Sequence, residues 1–214
     1  MRVSGARVFR ALHTRSFSRS ASRRAPAASG ASEDLFVASN AGDLLSVQRL
    51  LAHPGVNPNA GVTLGFGMLA SGSPVSAAAS EGHAEVVKAL LAHPGVNPNA
   101  RVTFAFGMLA ALSPVIVATH RGHAEVVKAL LAHPGVNPNA GFTLGFGMLV
   151  ARNPVHAAAS EGHVEVVKLL VAHPGVNHNV GLTLGPFGVL SPIDIARFNG
   201  HAEVVKLLES SPAN

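Results

Sequence analysis

The sequence predicts an all-α solenoid of about five helix-turn-helix units, each carrying an elongated hairpin or loop finger. Three observations predict it. The segment from Gly82 to Ala100 (GHAEVVKALLAHPGVNPNA) recurs letter for letter from Gly122 to Ala140, and with few changes from Gly162 to Val180. A weaker copy opens at Gly42 and a truncated one at Gly200, so the starts fall forty residues apart and finally thirty-eight. A Ser-Pro or Asn-Pro pair precedes each later start (Ser73-Pro74, Ser113-Pro114, Asn153-Pro154, Ser191-Pro192). Self-similarity at such a period marks a stack of like units, none able to bury its apolar face alone.

Each unit can be justified residue by residue. Ser73 is a good helix N-cap, and Pro74 at the first helical position gives up an N–H that would have had no partner. The short first helix that follows is built from small residues, and Gly82 ends it where a left-handed residue is wanted. A second helix runs from about Ala84 to Ala92. Val86, Val87, Leu90 and Leu91 form its apolar face, and Glu85 pairs with Lys88 on the wet side. His93-Pro94-Gly95 stops it. The fingers show period-two alternation. Leu64, Phe66 and Met68 alternate with Gly65 and Gly67, and Phe104, Phe106, Met108 and then Leu144, Phe146, Met148 repeat the pattern, which argues for extended chain with one apolar face.

The pattern S/N-P-V-x-x-A-A-x-x-G-H-x-E-V-V-K-x-L-L followed by V-N-x-N resembles the ankyrin repeat, with Ser73-Pro74-Val75-Ser76 and its counterparts in place of T-P-L-H; Asn153-Pro154-Val155-His156 keeps the His. The resemblance covers roughly residues 33 to 210. The repeat is longer than the family's usual period of about 33 residues, and the surplus lies mainly between Asn99 and Ser113, at the family's hairpin finger. The resemblance implies a protein-binding scaffold whose fingers and first helices line the docking side.

Residues 1–32 stand apart. They hold seven Arg, seven Ser and no acidic residue, and Arg2, Arg7 and Arg10 oppose Val8, Phe9 and Leu12 on a helical wheel. That composition is expected of a mitochondrial transit peptide, with Arg15-Ser16-Phe17-Ser18 resembling a presequence cleavage site. The expected organisation is therefore a disordered basic targeting segment, 1–32, and a solenoid, 33–211, with units near 33–70, 71–110, 111–150, 151–190 and 191–211. The expected location is the mitochondrial matrix if the segment is a presequence, and the cytoplasm otherwise.

This division changes the meaning of the net charge. The chain is formally +5, yet residues 33–214 carry nine basic and eleven acidic residues. The basic stripe of a nucleic-acid binder is missing from the folded part, as is an aromatic platform, since Trp and Tyr are absent. Zero Cys excludes a disulfide framework and a thiolate site. The charge-free run Val102–Thr119 approaches the length of a membrane span, but Pro114 cuts it after a capping Ser, so no transmembrane helix is expected.

The twelve histidines invite a metal reading. In-phase copies should stand about 10 Å apart, the spacing of packed helices, whereas zinc needs ligands converging at ~2.0–2.1 Å. The expected role of the glycine-following His is to link one turn to the next. No nucleophile, base and orienting residue assemble, so neither enzyme nor cofactor is expected.

The differences between near-identical copies gather on the first helix and the finger. The expected partner-binding residues are Arg101, Phe104, Phe106, Met108, Ile116, His120, Arg121, Phe66, Phe146 and His156, with Arg101, Phe106, His120 and Arg121 the most distinctive. The function expected is that of a monomeric, non-catalytic adaptor for another protein. The alternative is a membrane-surface protein using the apolar fingers and the basic N-terminus.

Overall fold

The computed structural model describes residues 28–63, 70–101, 103–104, 112–144, 150–178, 181–183 and 189–211. Its helices alternate between two rows. The first-helix row comprises α1 (Ala28–Ala41), α3 (Pro74–Glu81), α5 (Pro114–Arg121), α7 (Pro154–Glu161) and α9 (Pro192–Asn199). The second-helix row comprises α2 (Leu44–Leu51), α4 (Ala84–Leu91), α6 (Ala124–Leu131), α8 (Val164–Ala172) and α10 (Ala202–Glu209). Each helix packs on its partner within the unit and on the same helix of the next unit.

The starts and stops follow from local chemistry. The side chains of Ser73, Ser113 and Asn153 accept from the backbone N–H three residues on, with Pro at the first helical position each time. Ser191 and Asp194 form a reciprocal capping box at the start of α9. Gly82, Gly122, Gly162 and Gly200 close the first helices with φ between +75° and +81°. On the second helices the four apolar positions turn inward. Val86, Val87, Leu90 and Leu91 are all buried, while Lys88 Nζ donates to Glu85 Oε1 at 2.7 Å in solvent. One continuous core results, running from Leu35 through Val87, Val127 and Val167 to Leu208.

Two ladders stitch the units together. The His that opens each second helix from α4 onward lays its ring against the glycine of the preceding unit, and its Nε2 faces a carbonyl there. The pairs are His83 with Asn40 O (3.2 Å), His123 with Ser80 O (3.0 Å), His163 with His120 O and His201 with Ser160 O (both 3.1 Å). A Cβ on Gly42, Gly82, Gly122 or Gly162 would stand within 2.8 Å of that ring, so the glycine serves both the left-handed turn and the close approach. The expected linking role of these histidines is thus met. The turns form the second ladder: Asn59, Asn99 and Asn139 each donate from Nδ2 to the Gly carbonyl of the next turn (Gly95, Gly135, Gly175, all 2.7 Å). Their Oδ1 atoms accept from the N–H of Asn97, Asn137 and Asn177.

The finger bases are short antiparallel strands: β1 (Val62–Thr63), β2 (Ala70–Gly72), β3 (Thr103–Phe104), β4 (Phe142–Leu144), β5 (Val150–Arg152), β6 (Leu182–Thr183) and β7 (Val189–Leu190). β1 pairs with β2, β2 with β3 of the following finger, β4 with β5 and β6 with β7. Of the run Val102–Thr119, Thr103–Phe104 lie in β3 and Pro114–Thr119 in α5, and among the described residues no helix is long and apolar enough to cross a membrane. The finger segments 64–69, 105–111, 145–149 and 184–188 lie outside the described residues.

The boundary at residue 33 needs correction. Helix α1 begins at Ala28 and includes Ala31 (fully buried) and Ser32, whose Oγ accepts from Asn57 N at 3.0 Å. Residues 28–32 therefore belong to the array, anchored by burial and by a bond to the first turn. At the other end, Arg197 stands where interior units bury Ala79, Thr119 or Ala159, and Glu209 stands in place of Leu91, Leu131 or Val171. These two residues form an ion pair, so the last described unit turns a charged face outward.

Candidate functional site

Burial decides which part of the first-helix row can meet a partner. The first six residues of α3, α5 and α7 (Pro74–Ala79, Pro114–Thr119, Pro154–Ala159) are all buried. In these three helices only the last turn before the glycine reaches solvent, through Ser80 and Glu81, His120 and Arg121, and Ser160 and Glu161; Phe198 and Asn199 hold the same positions in α9.

These pairs form a row in which the polar groups reach across to the neighbouring unit. Arg121 Nη1 lies 3.4 Å from Glu81 Oε1, the two side chains being 26% and 20% exposed. His120 Nε2 lies 3.7 Å from Glu161 Oε1. Asn199 Nδ2 donates to Ser160 O at 2.9 Å. Phe198 has no such engagement and is 91% exposed, a far larger exposure than that of any other large apolar side chain in the row. Its position, two residues before the glycine, is that of Ser80, His120 and Ser160. Aligning the truncated copy backward from Gly200 would have found it, whereas comparing only its second helix conceals it.

The sequence-predicted residues do not fall in one place. His120 and Arg121 sit together on the row. Arg101 is exposed and donates from Nη2 to Gly141 O at 3.2 Å, but it stands on the turn side of α5, an eight-residue helix about 12 Å long, and so at the opposite end from His120. The backbone of Phe104 is placed in β3, opposite Ala70. Phe66, Phe106, Met108 and Phe146 lie outside the described residues.

Ile116 and His156 are corrections. They are 1% and 0% exposed and offer nothing to a partner. Both occupy the third position of a first helix, where the side chain closes the joint between its helix and the chain at the finger base. Ser76 there donates to Ala100 O at 2.8 Å, and His156 places Nδ1 2.7 Å from Asn153 Oδ1 and Nε2 3.4 Å from Leu190 O. Asp194 at the same position belongs to the capping box, and bonds from the Ser191 hydroxyl and N–H hold its carboxyl below the ordinary value. Variation at this position reflects how each joint is filled.

Among the described residues no three His, Cys, Asp or Glu side chains converge on a point where a metal ion could sit. The helix-turn-helix units, the glycine–histidine joints and the hairpin bases agree with a family-level match. The model for ankyrin repeats (three copies) fits residues 35–141 and again 75–181. The chain belongs to the ankyrin-repeat family. Ankyrin repeats are generally protein–protein interaction modules, so the array is read as a surface for another protein. No curated protein matches the chain significantly.

Proposed function

We propose that this ankyrin array is a non-catalytic adaptor that captures another protein along the last-turn row, with Phe198 as the apolar anchor. The carrying observation is the 91% exposure of Phe198 in a row whose charged members are tied to one another. A large aromatic left in water is the kind of residue that dominates binding energy once covered. The proposed surface also takes in Arg101, at the other end of α5, and on sequence grounds the finger residues Phe66, Phe104, Phe106, Met108 and Phe146. A photo-cross-linking residue placed at Phe198, with a second placed at Lys128 on the second-helix row, tests the reading. A discrete adduct from position 198 alone supports it. Adducts only from position 128 refute it.

Import into mitochondria forms part of the same proposal. It rests on the acid-free Arg/Ser composition of residues 1–17, which would be removed on entry. Mass spectrometry of the endogenous N-terminus discriminates: a start near Ser18 on mitochondrial protein supports import, and intact Met1 or Arg2 on cytosolic protein refutes it.

A further inference from the structure

The finger bases show how a strand is added to this molecule. β2 carries β1 on one edge (Val62 opposite Gly72, Thr63 opposite Ser71) and β3 of the next finger on the other (Ala70 opposite Phe104, Ser71 opposite Thr103). β7 repeats the first of these pairings. Leu190 precedes Ser191 as Gly72 precedes Ser73, so Val189 stands where Ser71 stands, and it faces Thr183 of β6 as Ser71 faces Thr63. The second edge differs, because among the described residues no strand follows β7. Val189 is 62% exposed and Leu190 36%, and Val189 Cγ1 fills the space that a Cβ on Gly181 would need, which fixes that side chain over the strand pair.

An open edge with apolar side chains is a template for another strand, and stable proteins ordinarily blunt it with Lys, Pro or a covering element. None of those residues stands at 189–190. We propose that the outer edge of β7 is a docking site for an extended segment of another protein, added antiparallel as one more strand. The occupant is specified by what fills the equivalent edge of β2 inside this chain: the β-branched and aromatic pair Thr103-Phe104 of β3, opposite Ser71 and Ala70. This surface stands apart from the last-turn row, since β7 precedes α9 and Phe198 lies near the other end of that helix, ~12 Å away at 1.5 Å per residue.

The test uses the full chain and a dye-labelled synthetic peptide, Arg-Val-Thr-Phe-Ala, followed by fluorescence anisotropy and by amide chemical shifts. Saturable binding is expected, with shifts at Leu182, Thr183, Val189 and Leu190. Val189→Lys is expected to weaken it by up to about fivefold, the scale of one good cross-strand pair. Two peptides methylated on alternate backbone nitrogens need no protein variant. In an added strand only alternate N–H groups face the protein, so one methylation should abolish binding and the other leave it nearly intact. Absence of binding by the parent peptide, equal behaviour of the two methylated peptides, or shifts clustered on Phe198 would each overturn the proposal.

Discussion

Replacing Gly122 by Ala perturbs two things that can be separated. Gly122 has φ +76°, a conformation costing an L-residue about 1–2 kcal/mol, and the new Cβ would stand 2.7 Å from Cε1 and Nδ1 of His163. The imidazole must leave, and its contact with His120 O (3.1 Å) goes with it, a further loss of about 0.5–1.5 kcal/mol. The expected total is thus about 1.5–3.5 kcal/mol. Gly200 supplies an internal reference, since its φ is +80° but nothing lies within 4 Å of a Cβ there, and Gly200→Ala should carry the backbone cost alone. The decisive assay is a double-mutant cycle with His163→Ala, read from urea melts by circular dichroism. With the ring already removed, Gly122→Ala should cost only about 1–2 kcal/mol, a coupling of about 1 kcal/mol between the two sites. Strictly additive costs would refute the joint as described.

Three further outcomes are expected. Thr119 is fully buried and its Oγ1 has no hydrogen-bond partner among the described residues, so Thr119→Val should raise the urea midpoint by the equivalent of about 1 kcal/mol; a lowered midpoint would contradict this. Leu130→Ala, in the middle of the core, should cost about 2–5 kcal/mol in the same melts, and Leu208→Ala, in α10, which among the described helices packs on α8 and α9, should cost less. The depressed carboxyl of Asp194 contributes stability that is present above its unfolded value near ~3.9 and lost as pH falls through the folded one, so Asp194→Asn should flatten the acid limb of a melting-temperature profile below about pH 4.

Much of the fold was legible because five copies report on the same local chemistry. The caps at Ser73, Ser113 and Asn153, the left-handed glycines, the inward Val-Val and Leu-Leu pairs and the linking role of the histidines each follow from residues that recur in phase. What escaped did so where copies differ. Ala28-Ser29-Gly30-Ala31-Ser32 shares its small polar composition with the Arg/Ser segment before it, and only tertiary contact (Ala31 in the core, Ser32 on Asn57) makes it part of the array. Variation at Ser76, Ile116 and His156 read as exposure, whereas the finger base encloses that position and each side chain fills its own joint. Phe198 escapes when the truncated copy is compared by its second helix alone, because the comparison then omits that it stands where Ser80, His120 and Ser160 stand.

The glycine–histidine joint has one further consequence. Since it is built alike at all four described junctions, and the asparagine turn alike at three, any interior unit could stand beside any other without a change in the contacts that hold the stack. Among the described residues the junctions differ in the short row before each glycine, where Glu81 meets Arg121, His120 meets Glu161 and Asn199 meets Ser160, and in the bond from Arg101 to Gly141 O. Exchanging two interior units would leave both ladders in place and a row that no longer matches itself.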